Sequence, residues 1–443
     1  MPIGPEPGLE ARLTGALAHS PLAARIATAA APLADRRARD AAAEQLEGPA
    51  LSGLARALAA SPESARYLSL RPGLFARLAA LAADSLERRA AELPGLALPD
   101  PSTAREDFLD ALRLLRRDEL VFAAALHLAG LAPFEQVAEF LSRVAETCAA
   151  RALAAVEGRS PDETGILTVL GMGKLAGREF TYHSDLDVIF LFRDDVADAY
   201  PPSRLAQRWI SSLATMTGAG FAYHVDSRLR PSGQQGALVT TVEAFARYQT
   251  RQAETWEHVA LQRARAVAGD RARVQAELER VREQIAREAA NPWRYLRDMR
   301  GRVVAARGTE DADSAALKAG RGGIMDVEFL GAGALLERGL VLAPGALPSV
   351  PAMLRAALRV PAVERLLDDY AFLRRIEACA RWLAGRPVES VARTGEAADW
   401  LADLVEPGQT AETLDAALAA ARERIAAGFE RVAAKETIEA LAP

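Results

Sequence analysis

Cysteine is nearly absent from this 443-residue chain, in which only Cys148 and Cys379 occur. Two isolated cysteines can build neither a disulfide framework nor a structural zinc site, so a reducing compartment is expected. Histidine is scarce too: five widely spaced residues give no sign of a histidine metal cluster. No apolar run approaches the roughly 18 residues that a membrane span needs; the longest are short and alanine-rich. The segment Met1 to Glu10 lacks the basic and apolar regions of a secretory signal, and a free-standing cytoplasmic chain is the expectation. An excess of positive charge is missing as well. Lys plus Arg number 54 against 59 Asp plus Glu, a net charge of −5. With no basic tract interleaved with aromatics, a nucleic-acid partner or a membrane surface is disfavoured. Half of the residues are hydrophobic and 26% are charged. That is the balance of a globular chain with ample core, long enough for about two to four domains.

Strand texture is confined to one window. Residues 8–92 are rich in Ala, Leu and Arg, a helix-forming composition. A Pro-rich break runs from Leu93 to Pro101, after which Ser102 or Thr103 can cap a helix. There Phe108, Leu112 and Leu115 share one face, while Arg113, Arg116 and Arg117 are expected on a solvated face or a docking surface for an acidic partner. Helical patterning continues to about Val156. Residues 166–170 then read as a buried strand ending in glycines, and 187–192 as a second. A helix is expected from Ser203 to about Thr217 and a third strand from Phe221 to Leu229, stopped by Pro231. From about Thr241 the pattern is helical to the end. The expected fold class is mainly α with an α/β insert: an N-terminal helical region at 1–158, an α/β domain at 159–272 and a C-terminal helical bundle at 273–443.

The chemistry-bearing residues lie in the insert. Asp185 and Asp187 stand two apart at the start of an apolar strand, so alternation puts both carboxylates on one side. Close carboxylates repel, and a divalent cation relieves the repulsion; oxygen-only ligands suit Mg²⁺. Ahead of them, Gly171, Gly173 and Lys174 form a turn whose backbone amides and lysine charge suit a phosphate. Downstream, Asp226, Arg228 and Arg230 share a strand face by the same alternation. A third carboxylate beside two arginines fits a site for metal and polyphosphate, and three carboxylates that bind two Mg²⁺ suit in-line displacement at phosphorus. A dinucleotide fingerprint is disfavoured, because the acids precede the second strand where that motif needs one at the strand's end. A Walker A loop is excluded, because Leu175 follows Lys174 where Ser or Thr is required.

The order of Gly-containing turn, Asp-x-Asp strand and later third carboxylate resembles the polymerase-β-like nucleotidyltransferase superfamily. Within it, GMGKLAGREF, SDLDVIF and VDSRLRP, followed by Arg247-Tyr248-Gln249, Thr255-Trp256-Glu257-His258, Ala264 to Asp270 and Gly320 to Phe329, resemble one half of the glutamine synthetase adenylyltransferase (glutamate–ammonia-ligase adenylyltransferase) family. The resemblance spans roughly residues 170–330 and is closer to the C-terminal, AMP-attaching half. It implies a polymerase-β-like domain flanked by helices. It also implies transfer of AMP from ATP to a tyrosine of glutamine synthetase, or its removal by phosphorolysis, with two Mg²⁺. Asp185, Asp187 and Asp226 would be catalytic and metal-binding, and Gly171, Gly173, Lys174, Ser184, Arg228 and Arg230 would hold the nucleotide. A PII-type signalling protein is a further partner that the resemblance allows. A catalytically silent module that binds such partners is the alternative. Ala176, Phe180 and His183 depart from the family pattern, and His183 is read as a tolerated neighbour of the acids. Trp256, Glu257 and His258 are expected to form a structural cluster, Asp326 to cap a helix with Glu328 in its first turn, and Arg178 to pair with Glu179.

Overall fold

Among the described residues, most alanine-, leucine- and arginine-rich segments form helix, as their propensities dictate. In the computed structural model the described residues are 8–34, 46–82, 84–160, 163–193, 195, 201–231, 233–308 and 310–442. They are mainly helical around a small mixed sheet. Two 24-residue helices, α1 (Arg105–Leu128) and α2 (Phe134–Glu157), lead into it. The second is closed by Gly158 in the left-handed region at φ +68°, a cap that glycine makes without strain.

The sheet is built on β1 (Leu167–Met172), every residue of which is buried. It pairs antiparallel with β2 (Leu186–Phe192), Gly171 opposite Val188. The short strands β3 (Val225–Asp226) and β4 (Val239–Thr241) both run parallel to β2, and β5 (Ala264–Ala268) lies antiparallel on the far side of β1. Between β1 and β2 sits one helical turn, α3 (Gly173–Gly177). The sheet's apolar face meets the helix Pro202–Ala214: Trp209 stands edge-on to Phe190 at 5.3 Å and donates its indole N–H to the Ala149 carbonyl of α2 at 2.9 Å.

Four expectations fail, each for a physical reason. The third strand is only Val225–Asp226, because Thr217 and Gly220 exchange backbone hydrogen bonds of 2.8 and 3.0 Å in a tight turn and Ser227 to Pro231 turns away. Strand does not end at residue 241: β5, with β6 (Ser314–Ala316) paired to β7 (Ser390–Ala392), lies in the segment read as helical. These strands are alanine-rich, and their burial against partners overrides alanine's helix preference. Neither Ser102 nor Thr103 caps α1. Asp100 Oδ1 accepts from both the amide and the hydroxyl of Ser102 at 2.8 Å, and Ala104 occupies the cap position.

The fourth concerns the arginines of α1. Arg113 is fully buried, not solvated: it donates to the carbonyls of Gly220 at 2.9 Å, Ser212 at 3.2 Å and Thr215 at 2.5 Å. Arg116 is buried beneath the rings of Phe221 and Tyr223, and Arg117 lies over Tyr67 at 4.1 Å. Arg113 therefore ties the irregular stretch before β3 to α1, taking up the carbonyls of Ser212 and Thr215 at the end of the preceding helix and adding to the Thr217 amide on that of Gly220. Arg113→Ala should lower stability by roughly 3 kcal/mol, since buried acceptors left unpaired cost about 1–3 kcal/mol each. The midpoint of a urea titration checks this, and an unmoved midpoint would return Arg113 to the solvated face.

Candidate active site

The parallel pairing of β2 with β3 sets Asp187 directly beside Asp226 and Leu186 beside Val225. The Leu186 amide extends the ladder to the His224 carbonyl at 2.9 Å. Asp185 precedes β2 and is exposed. Gly173 stands against this acidic group: its φ is +54°, and a Cβ there would lie 3.9 Å from Asp187 Oδ2. A side chain at 173 would thus be strained in backbone, with its Cβ in ordinary contact with the carboxylate. Asp185, Asp226, His224, Arg228 and Arg230 line an open cleft of about 560 Å³.

Burial pushes the Asp187 carboxyl up to about 6; Lys318 opposes the shift, and the like charges of Asp226 and Asp185 reinforce it. A carboxylate destabilised in this way gains from a bound cation, and an all-oxygen donor set fits Mg²⁺. Among the described residues no group of three or more His, Cys, Asp and Glu closes into a metal cage. Asp226 is taken instead by Arg228, whose Nε lies 3.0 and 2.8 Å from its two oxygens, and this pairing holds its carboxyl below the usual range.

The residues expected to hold phosphate are arranged differently from the strand-face reading. Arg228 faces Asp226, not open space. Arg230 folds back to donate to the Ser227 carbonyl at 2.7 Å and the Gly236 carbonyl at 3.2 Å, because β3 ends before it. The Gly173 amide donates to the Arg263 carbonyl at 2.7 Å, and Gly171 is paired within β1 on both sides. The turn thus shapes the site by close approach while its own amide at 173 is already committed. The hydroxyl of Ser184 accepts from the Thr181 amide at 3.0 Å and closes the loop before Asp185. Lys174 Nζ meets Glu377 Oε1 at 2.5 Å.

That last contact opens a charge network which the sequence reading missed. Glu377, 1% exposed on α5 (Pro361–Ala384), also binds Arg374 and Arg381 at 3.0 Å each. Burial would raise its carboxyl, but Lys174 and the two arginines outweigh burial and hold it well below the carboxylate range. A second node is Arg263, which binds Glu179 at 2.7 Å and Glu328 at 2.5 Å; Tyr370 donates to Glu179 at 3.0 Å. Arg178 binds Glu146, and Glu179 faces Arg263, so the expected Arg178–Glu179 pair does not form. Asp326 does not stand in the cap position of α4 (Ile324–Glu337), which Gly323 fills; it accepts from the Gly322 amide at 2.7 Å and pairs with buried Arg300. One sequence signal could have exposed the Glu377 node: Arg374, Glu377 and Arg381 recur at i, i+3 and i+7, one side of a helix.

Of the expected cluster of Trp256, Glu257 and His258, the last two are held structurally: the Tyr248 hydroxyl donates to Glu257 at 2.9 Å, and His258 Nε2 lies 2.8 Å from the Gln249 carbonyl, while Trp256 takes no part in either contact. His183 adopts φ +55° two residues before Asp185 and stacks on Trp382 with centroids 6.2 Å apart. Its neighbour Tyr182 is hydrogen-bonded to His127 Nδ1 at 3.0 Å. Burial pushes the His127 imidazole down to about 4 and that of His183 to about 3, so both are held neutral.

The family model for glutamate-ammonia ligase adenylyltransferase matches residues 51–281. The chain is 37% identical over 303 residues to the bifunctional glutamine synthetase adenylyltransferase/adenylyl-removing enzyme of Chromobacterium violaceum, a match covering 63% of this chain and 32% of that protein. The enzyme of the same description from Bordetella bronchiseptica is also 37% identical, with 63% and 31% covered, and that from Thioalkalivibrio sulfidiphilus is 35% identical over 318 residues, with 64% and 33% covered. The chain spans about a third of the length of these curated relatives.

Proposed function

The chain belongs to the glutamate-ammonia ligase adenylyltransferase family, and from that premise we propose that it transfers AMP from ATP to a tyrosine of glutamine synthetase, or removes AMP from it by phosphorolysis. The observation that carries this reading is the register of Asp187 with Asp226 beside the Gly173 turn. It gathers carboxylates from separate stretches of chain at the mouth of one cleft. We assign residues 159–272 as a polymerase-β-like nucleotidyltransferase domain, with helical regions at 1–158 and 273–443. Glutamine synthetase as substrate, a PII-type signalling protein as partner and a cytoplasmic location belong to the same proposal and rest on the resemblance.

In the proposed transfer the tyrosine oxygen attacks the α-phosphorus and forms the new O–P bond. The bond to the bridging oxygen breaks, and its electron pair leaves with pyrophosphate. A free tyrosine has a pKa near ~10, so its proton must go elsewhere, and Asp226 can accept it once Arg228 swings aside. Asp185, Asp187 and Asp226 would hold Mg²⁺, which when bound supplies positive charge against the phosphate oxygens. Gly173 leaves room for the nucleotide close to Asp187. In removal by phosphorolysis, phosphate attacks the same phosphorus and forms ADP, and the tyrosine oxygen leaves with the electron pair and regains its proton.

Intact-mass spectrometry of glutamine synthetase tests this. The expected result is an AMP-sized increase with ATP and Mg²⁺, or loss of AMP from modified enzyme with phosphate; neither change would sink the substrate assignment. The Arg228–Asp226 pair favours a second reading, a silent module that binds the synthetase without modifying it. Absence of protein labelling by [α-³²P]ATP in a lysate, with binding to the synthetase retained, would select that reading.

A further inference from the structure

His224 stands immediately before β3, on the far side of β2 from the strand that leads into the glycine turn. Its backbone is fixed there, because its carbonyl accepts from the Leu186 amide at 2.9 Å and extends the β2–β3 ladder by one step. On this register Asp185 falls beside His224 as Asp187 falls beside Asp226, and alternation turns His224 to the face that Asp226 occupies. The imidazole is exposed and lines the cleft with Asp185 and Asp226; among the residues lining that cleft it is the one ring. Phe221 lies against it, with centroids 4.3 Å apart and planes tilted by 35°, and the Arg116 guanidinium lies over Phe221 in turn at 5.4 Å. The residues between the two rings are held as well: the amides of Ala222 and Tyr223 both donate to the Leu213 carbonyl, at 2.9 and 3.1 Å. Among the described residues no hydrogen bond or ion pair engages the imidazole nitrogens. A ring backed in this way and left open to the cleft is a surface prepared for a second ring.

We propose that His224 is the platform for the acceptor side chain: its imidazole packs against the phenol ring of the tyrosine whose oxygen meets Asp226. This rests on the nucleotidyl-transfer reading above and adds to it the residue that receives the acceptor. Two features select the acceptor ring over the adenine of ATP. In-line displacement sets the attacking and leaving oxygens on opposite sides of phosphorus. The glycine turn follows β1, and β1 and β3 flank β2 on opposite sides. With the nucleotide held at Gly173 and Asp187, the attacking oxygen therefore comes from the side of β3. The second feature is reach. Residues two apart on a strand are roughly 7 Å apart, so a tyrosine hydroxyl at Asp226 brings its ring alongside His224, where rings pair at centroid separations of ~4.5–7 Å. A phenol gripped on one face also keeps its oxygen aimed at phosphorus instead of turning freely. A serine or threonine hydroxyl would gain nothing from the platform, which makes His224 a determinant of acceptor choice.

Kinetics and binding with the full chain test this, using glutamine synthetase and Mg–ATP as probes and His224→Ala and His224→Tyr as variants. His224→Ala should lower kcat/KM for the synthetase about 3- to 10-fold, the worth of one ring pair, in whichever direction the wild type runs. Its affinity for Mg–ATP should stay within about twofold of wild type, and its melting temperature should not move. His224→Tyr, which keeps a ring, should recover most of the loss. Equilibrium binding then closes a double-mutant cycle. A synthetase with its modified tyrosine changed to phenylalanine should feel His224→Ala as the wild-type synthetase does, and one with that tyrosine changed to alanine should not feel it. An unchanged kcat/KM in His224→Ala, a loss that falls equally on the synthetase lacking the ring, or a loss of Mg–ATP affinity alone, which would make His224 a platform for adenine, each overturns the assignment and leaves the nucleotidyl-transfer reading standing. A wild-type chain that neither adds AMP to the synthetase nor removes it overturns both.

Discussion

Asp187→Asn is expected to reduce AMP transfer on the order of 10³-fold, the scale seen when one group that stabilises developing charge is removed from a preorganised site, while stability holds or rises. The two halves of this expectation have one cause. Asp187 sits half-buried in register with Asp226, with Asp185 close by, and burial together with these like charges resists its ionisation. Replacing the carboxylate by a neutral amide of the same shape removes an electrostatic burden from the fold. It also removes the charge that makes the site attractive to a divalent cation. Transfer assays paired with thermal melts check both. A variant that transfers AMP at near wild-type rate would remove Asp187 from the site, and one that melts well below wild type would make it a structural residue.

Glu377→Gln should have the largest effect on stability. Lys174, Arg374 and Arg381 converge on this carboxylate. Without its charge, three cations face one another with no counter-ion. Breaking a buried ion pair from one side costs about 3–5 kcal/mol, and here one residue serves three partners. The denaturation midpoint and the melting temperature measure the loss. A midpoint within about 0.5 kcal/mol of wild type, the range of ordinary surface substitutions, would show that the cations find other partners. Because Lys174 belongs to the turn beside Asp187, the folded fraction of the variant should also transfer AMP more slowly.

The sequence made the central strands readable because Ile166–Leu170 and Val188–Phe192 are β-branched, aromatic and free of charge, a texture that helix does not imitate. It also exposed the acids: Asp-x-Asp ahead of an apolar run needs only local alternation to be placed. The site's cations were not legible in the same way. Arg228 and Arg230 were assigned by continuing the strand from Asp226, but β3 stops at that residue and both guanidiniums turn to partners nearby. Lys174 was assigned by its neighbours in sequence, although its partner is 203 residues away. Arg113 and Arg116 follow a helical charge pattern that looks solvated until the irregular segment before β3 folds over them. Strand β5 was hidden by alanine, whose propensity speaks for helix and whose burial beside β1 decides otherwise.

The ion pairs that cross residue 272 bear on how such a protein can be dissected. Lys174, Glu179 and Arg263 lie within the α/β unit, whereas Glu377, Tyr370 and Glu328, which satisfy them, lie beyond it. A fragment cut at that point would retain every acid and glycine of the site and the Arg263–Glu179 pair, yet leave Lys174 without Glu377, Arg263 without Glu328 and Glu179 without Tyr370. Residue 272, the proposed end of the α/β domain, is therefore not a breakpoint at which the chain can be divided. The smallest portion that could be copied, fused or lost as a working whole runs from α1 and α2, whose Arg113, Glu146 and Ala149 hold the insert, through at least Trp382, which stacks on His183. Gene rearrangements that respect only the catalytic motifs would yield an aggregation-prone remnant, and viable ones must carry the helices along.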